Sequence, residues 1–252
     1  MCDVIIFGHI PRQVNLKIGF IKMGLEASKT KLINGPEYYR RFMSGRVLDI
    51  GCGPDLVVEH ALPFDEEHGD ANNILDYIAE ESMDCVHSSH CLEHMYDPVQ
   101  CLQGWWKCVR PGGFIITVVP EENLYEQHLW PPRFNKDHKS TFRLGGKKSW
   151  SPVSFDVLEL HKNLPDIEII QADIHDLNYD RELIFPLGAK ELERKGFVWK
   201  QLNSLTKRYL RGSLKKKLQH FQLRLGYPID QTTQNGAMAQ IQIVARKKKS
   251  KS

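Results

Sequence analysis

The sequence predicts an α/β chain built on a mostly parallel sheet with helices on both faces. It adds N-terminal helices and a basic helical insertion before the last strand. Three observations predict this. Short apolar runs of strand type alternate with segments of helical spacing, the pattern of a parallel sheet whose crossovers are helices. The first such run passes directly into a glycine turn, Val47-Leu48-Asp49-Ile50-Gly51-Cys52-Gly53-Pro54. Apolar residues make up 41% and charged residues 26% of 252 residues, which suits one globular domain of ordinary size with an inserted cap.

Taken in order, the Lys-rich segment from about Asn15 to Met43 reads as one or two helices packed beside the core, and residues 1–43 form the N-terminal helical segment. The turn at Ser44-Gly45 opens the core, residues 44–180. Its strand-like runs are Val47 to Ile50, Ala61 to Phe64, Met83 to Ser88, Phe114 to Val119 and Ile167 to Ala172. Pro98 to Val109 and Phe155 to Asn163 have helical spacing, the first opened by Asp97-Pro98, since proline suits the first helical position. Residues 181–229 form the basic cap. Within them Leu210, Leu214, Leu218, Phe221 and Leu225 recur at helical steps and predict an amphipathic helix. Residues 230–246 return as the final strand, with GAMAQIQIVAR as its alternating part, and residues 247–252 read as a disordered basic tail.

Six cysteines without a C-x-x-C pair indicate neither a zinc ribbon nor a disulfide framework, so reduced thiols and a cytoplasmic setting are expected. The N-terminus lacks the basic start and cleavage site of a signal peptide, and no apolar run approaches eighteen residues. The net charge of +3 conceals an asymmetry: Val198 to Gly226 holds eight Lys/Arg and no acid. Such a stretch attracts an anionic partner. A phosphorylated or nucleotide-linked sugar, an anionic membrane surface touched peripherally through residues 198–226, and nucleic acid all fit by charge. Nucleic acid is least favoured, because no aromatic stacking platform or RNA-binding module accompanies the charges. A cap helix with a solvated basic face is the plain alternative.

The glycine turn lets a ligand approach the backbone closely. A dinucleotide fingerprint would need a third glycine where Leu56 stands, and the P-loop lysine is absent. Asp49 at the strand end repels a pyrophosphate and suits a cationic group. The turn resembles motif I of the class I, Rossmann-type S-adenosylmethionine-dependent methyltransferases. Three further motifs are similar to that family's: Asp65 after a short strand, Gly69-Asp70-Ala71, and Val109-Arg110-Pro111-Gly112-Gly113-Phe114. The resemblance implies a Rossmann-like sheet that binds S-adenosylmethionine through Asp49, Gly51, Cys52, Gly53, Asp65, Asp70 and Ala71. Asp65 would take the ribose hydroxyls and Asp70 the adenine amino group. The two carboxylates stand only five residues apart, too close for the usual helix and strand, so one sheet element is expected to be missing or displaced.

His90, Glu93 and His94 fall in the order H-x-x-E-H, the spacing of an inverted zinc-peptidase motif. Ser88-Ser89-His90-Cys91-Leu92-Glu93-His94 also resembles the family's S-x-x-x-L-E-H signature, which directly follows a strand as here. The second reading is preferred. It places His90 beside the cofactor's methionine moiety and gives Glu93 and His94 the role of hydrogen-bonding the loop in place.

Pro120 to Phe142 mixes aromatic and polar residues after a strand, the make-up of a small-molecule site. Tyr125, Trp130, Arg133 and Asn135 are the candidate acceptor-binding residues. Asn135, Asp137, His138, Thr141 and Phe142 form an N-x-D-H-x-x-T-F pattern similar to that of methyltransferases encoded with bacterial surface-glycan biosynthesis enzymes. A hydroxyl acceptor needs a base as its proton is lost. His138, held by Asp137 or another carboxylate, is the first candidate for that base and His90 the second. No metal is required by the spacing, although Glu121, Glu122, Asp137 or His138 are able to hold a divalent ion. The expected reaction is O-methylation of a small anionic or glycan-related acceptor. Carbon or nitrogen methylation, a non-catalytic cofactor-binding or membrane-associated scaffold, and the zinc peptidase are the alternatives. The sequence leaves oligomeric state open.

Overall fold

The computed structural model describes residues 26–146, 148–192 and 212–249. The expected helix before residue 26, the first half of the basic stretch with Leu210, and the last three residues of the tail lie outside them.

The sheet is mixed α/β, mostly parallel and Rossmann-like, as the sequence predicts. Its strands are β1 (Val47–Ile50), β2 (Leu62–Phe64), β3 (Met83–Ser89), β4 (Val109–Pro120), β7 (Ile167–His175) and β8 (Gln240–Lys247). They lie in the order β2-β1-β3-β4-β8-β7. Strand β8 alone runs against its neighbours, β4 and β7. A parallel pair formed by β5 (Thr141–Arg143) and β6 (Ser154–Asp156) makes a second, two-stranded sheet.

The expected missing element is the one beyond β2. Between β2 and β3 the described chain makes only a short 3-10 segment, Ala71–Asp76, so the sheet ends at β2. Successive strands then fall on opposite sides of β1, with β2 on one and β3 on the other. Such a reversal opens a crevice beyond the carboxyl ends of the two strands, where ligands of open α/β sheets bind.

Side chains alternate between the two faces as a pleated strand requires. Leu48, Ile50, Val86, Ile115 and Ile243 pack on one face with Leu102, Trp105 and Trp106 of α3 (Pro98–Cys108) and with Val157 and Leu158 of α4 (Val157–Lys162). Val47, Cys85, Ile116 and Val244 pack on the other with Phe42 of α2 (Pro36–Phe42) and with Met43. A five-residue helix, α1 (Glu26–Thr30), precedes α2.

Helix α3 starts as its sequence predicts. Pro98 takes the first turn and Asp97 accepts from the amides of Val99 (2.9 Å) and Gln100 (3.1 Å), which satisfies two of the donors a helix start leaves unpaired. Its two indoles are anchored as well as buried: Trp105 donates to the carbonyl of Ala71 and Trp106 to that of Pro165. Helix α4 is shorter than expected, because Phe155 and Asp156 belong to β6 and Asp156 caps the helix. The Arg110-Pro111-Gly112-Gly113 turn sits inside β4. Pairing jumps there from Met83 with Val109 to Cys85 with Phe114.

The insertion differs most from expectation. The described part of its helix, α5 (Gly212–Arg224), buries Gln219 and Gln222, while Leu214, Phe221 and the following Leu225 are exposed. Polar anchoring explains the rotation. Gln219 donates to Gln234 and Asn235, at the end of the short helix α6 (Gln231–Gln234). Lys215 donates to the Gln234 carbonyl, and Lys216 pairs with Asp180 and Glu182. A buried amide must keep its hydrogen bonds, and this constraint orients the helix here in place of the leucine stripe. Among the described residues no helix is long and apolar enough to cross a membrane.

Candidate active site

The glycine turn follows β1 with Gly51 at φ 70° and Gly53 at φ 51°, a left-handed conformation that disfavours any side chain. The two glycines serve different ends. A Cβ on Gly51 would stand 2.6 Å from Cβ of Cys91, whereas one on Gly53 would meet nothing within 4 Å. Gly51 thus lets the turn pack on the segment after β3, and Gly53 leaves open space above it. Cys52 between them is half-buried, and burial followed by the nearby Asp49 charge raises its thiol pKa.

Asp49 acts from beneath this turn. It is buried and pairs with His87, its register partner on β3, at 2.6 Å from Nδ1. Its other oxygen accepts from the Val57 amide at 2.7 Å. Each oxygen thus has a partner, which ties the end of β1 to β3 and to the loop after the turn. Asp65 sits at the turn itself, where Oδ2 accepts from the Gly53 amide at 2.7 Å. Asp70 is exposed and caps the 3-10 segment, accepting from the Asn72 amide. Hydrogen bonds from the side chain and amide of Asn72 bring its pKa below the ordinary carboxylate value. The carbonyl of Ala71 is taken by Trp105. Asp65 is thus at the glycine turn, while Asp70 and Ala71 hold the 3-10 segment after β2 in place.

At the end of β3, the buried hydroxyl oxygen of Ser89 has no hydrogen-bond partner. His90 follows at φ 53°, a strained value for a non-glycine residue and one that clusters at functional sites. Its amide donates to Val118 on β4 and its Nε2 lies 3.1 Å from Oε1 of Gln240 on β8. Only Leu92–His94 is helical after it, as one 3-10 turn. His90 and His94 therefore do not project from one helical face as the zinc-peptidase motif demands.

Beyond this point the long loop after β4 folds back over the sheet. Its backbone docks on Glu93, whose carbonyl accepts from the amides of Lys139 (2.8 Å) and Ser140 (3.2 Å). His138 is thereby buried with its Nδ1 2.6 Å from Oε1 of Glu126. Asp137, expected to hold His138, instead holds His94, with Oδ2 3.0 Å from Nδ1. Glu93 is fully buried between the rings, 3.9 Å from Nε2 of His138, 3.9 Å from Nε2 of His94 and 3.5 Å from Nδ1 of His90. Burial works to raise the Glu93 pKa, but the three imidazoles, His90 foremost, bring it below the ordinary value. For Glu126 burial prevails over the attraction of His138, and its pKa is raised.

Tyr125 lies over the His138 ring, centroids 5.1 Å apart, and Phe134 packs edge-on against Tyr125. Asn135 shapes the loop by accepting from the Asp137 amide. Trp130 is half-buried beside a cis peptide bond to Pro131. Arg133, the charged member of the candidate acceptor-binding set, is ion-paired with Glu191. Glu121 and Glu122 are also engaged. Glu121 accepts from Asn123 and Leu124, and Glu122 from the hydroxyls of Thr141, Ser149 and Ser154. Neither is disposed to hold an ion.

The structure thus joins His90, Asp137 and His138 in one cluster with Glu93, His94 and Glu126. Sequence reasoning missed Glu126 altogether. It lies twelve residues ahead of its histidine, a spacing that marks no motif.

These residues fit S-adenosylmethionine at the β1/β3 crevice on structural grounds. Gly53 opens on free space and its amide is held by the Asp65 carboxylate just past the carboxyl end of β1, next to β3, whose last residue is Ser89.

The chain is similar in part to known proteins. Residues 58–117, from just before β2 into β4, match the family model described as a methyltransferase domain. No curated protein matches the chain. Among solved structures, a SAM-dependent methyltransferase from Archaeoglobus fulgidus aligns at 17% identity over 88% of this chain and 94% of its own, with a TM-score of 0.43. Another from Thermotoga maritima aligns at 14% identity over 89% and 88%, with a TM-score of 0.44. At this distance the likeness says nothing about what the chain acts on.

Proposed function

We propose that this chain is an S-adenosylmethionine-dependent methyltransferase that places the methyl group on a hydroxyl oxygen of a small glycan-related acceptor. The carrying observation is the buried His138–Glu126 pair, set beside His90 at the end of β3. An oxygen nucleophile must shed a proton, and a buried imidazole oriented by a carboxylate is suited to receive it. S-adenosylmethionine supplies an activated methyl on a sulfonium, so the protein's remaining task is alignment. The acceptor oxygen gains the methyl carbon, the carbon–sulfur bond breaks with its electrons left on sulfur, and the acceptor's proton ends on Nε2 of His138.

The acidity of the histidine cluster supports a sugar-type hydroxyl. Glu93, Glu126 and Asp137 are grouped there and Arg133 is already paired. A phosphate or nucleotide carried by the acceptor would have to lie away from this cluster. The test is calorimetric titration with S-adenosylhomocysteine, followed by mass analysis of nucleotide-linked and phosphorylated sugars incubated with protein and S-adenosylmethionine. A gain of one methyl on oxygen is the expected result. Folded protein that binds neither cofactor form would overturn the reading, and methyl found on nitrogen or carbon would redirect it.

A further inference from the structure

The carboxylate of Glu93 poses a problem that hydrogen bonding does not solve. It is fully buried, neither oxygen makes a hydrogen bond of good geometry, and the nearest ring nitrogen, Nδ1 of His90, stands 3.5 Å away. A buried carboxylate left without partners carries a heavy desolvation cost. Its neighbours explain what would relieve it.

His94 and His138 each present their outer nitrogen to a second carboxylate, Nδ1 to Asp137 at 3.0 Å and Nδ1 to Glu126 at 2.6 Å. An ionised carboxylate only accepts, so each Nδ1 donates, and the neutral ring then carries a lone pair on Nε2. Both Nε2 atoms face Glu93 at 3.9 Å. Two lone pairs and a carboxylate turned on one another need a positive charge among them, which either a proton on a ring or a bound cation supplies. A protonated ring would close to a charge-assisted hydrogen bond of about 2.7–2.9 Å, well inside the distance observed.

We infer that Glu93, His94 and His138 bind a divalent ion of the zinc class. Their ligand atoms all lie within 4.8 Å of one another. Bonds of about 2.0–2.2 Å in tetrahedral geometry place ligand atoms roughly 3.4 Å apart, so the 3.9 Å gaps need close by only half an ångström. Two imidazoles and one carboxylate form the open three-ligand set of a zinc centre, whereas magnesium and calcium select oxygen. The pairs Asp137–His94 and Glu126–His138 supply the outer carboxylates that orient metal-binding imidazoles. Entry is available from the side of His94, whose side chain is 24% exposed, past Asp137 at 74%. The role of the ion rests on the methyl transfer proposed above. While bound, it would hold Nε2 of His138, the atom proposed above to receive the acceptor's proton, so the metal-free form is the one in which His138 serves as base.

The experiment strips purified full-length protein with a chelator, then titrates it with zinc chloride and, separately, magnesium chloride. S-adenosylhomocysteine is titrated in parallel. One zinc equivalent without magnesium binding is expected, with affinity reduced at least 100-fold in Glu93→Gln and in His94→Gln. Asp137→Asn should weaken zinc about 10- to 100-fold. His94→Gln serves if Glu93→Gln fails to fold, since that ring is partly exposed. Zinc uptake equal in wild type and variants, or none in wild type, overturns the site. Methyl transfer by the stripped protein with no zinc bound would leave the reaction standing with His138 as base. Zinc binding without any methyl acceptor would leave the site standing and sink the reaction.

Discussion

Nδ1 of His138 lies 2.6 Å from Oε1 of Glu126, and both side chains are buried. Twelve residues of loop close on themselves to make this contact, passing through Gln127 and His128 in left-handed conformations. Gln127 and His128 are themselves pinned, the first to Ile229 and Phe185 and the second to Phe185. The imidazole orientation is therefore set jointly by the loop and the insertion. His138→Ala should lower methyl transfer by about 10²- to 10⁴-fold. Glu126→Gln should lower it about 10- to 100-fold through ring orientation. Affinity for S-adenosylhomocysteine, measured by calorimetry, should stay unchanged in both. A parallel loss of cofactor affinity would place the pair at the wrong site.

Asp49 and His87 make the second buried pair. Removing one partner leaves the other uncompensated, which costs about 3–5 kcal/mol in buried pairs. Asp49→Ala also strands the Val57 amide. Urea denaturation should show Asp49→Ala, His87→Ala and the double variant falling short of additivity by more than 1 kcal/mol, about the coupling expected of residues in one network. Additive losses would mean that the two do not support each other.

The two glycines of the turn separate packing from binding. Gly51→Ala must push Cys91 aside and should cost at least about 2 kcal/mol of stability, combining left-handed strain with overpacking. Gly53→Ala has room and should cost about 1 kcal/mol, yet its methyl enters the open space above the turn. A cofactor affinity reduced tenfold or more in Gly53→Ala, with a near-native melting curve, is expected. Undiminished affinity would move the cofactor away from the turn.

His161 provides a stability dependence on pH. Its ring is fully buried, donating from Nδ1 to the Val157 carbonyl and accepting at Nε2 from Thr117, and burial lowers its pKa from 6.5 to about 4. Between those values the unfolded chain binds the additional proton. Stability from this group is thus complete above about pH 6.5 and declines as pH falls toward 4, by about 3 kcal/mol in all. The paired variant His161→Leu, Thr117→Val removes both hydrogen-bonding groups. It should flatten that slope in denaturation midpoints taken between pH 4 and 7, and an unchanged slope would assign it to other groups.

Much of the frame was legible because it is local. β1 with its glycine turn, Asp97-Pro98 ahead of α3 and the alternation of strands with helices depend on neighbours in sequence. The five-residue gap from Asp65 to Asp70 likewise foretold the lost sheet element. What escaped depends on partners far along the chain. Glu126 is found by a loop closing, and Asp137 turns to His94 because the Lys139 and Ser140 amides are held by Glu93. The outward turn of Leu214 and Phe221 follows from Gln219, whose acceptors lie fifteen and sixteen residues away. Hydrophobic periodicity carries no record of such hydrogen bonds.

Gln240 reaches three places from the start of β8: His90 through Oε1, and Thr30 and His175 through its amide nitrogen. During synthesis β8 emerges after every other strand described here, and β7 joins the sheet through it alone. A chain made only as far as β7 would have its glycine turn and its histidines but nothing to seat β7 or steady His90. Assembly of the histidine cluster therefore waits for β8, and a chain cut short before residue 240 would begin to fold without the residue that steadies His90.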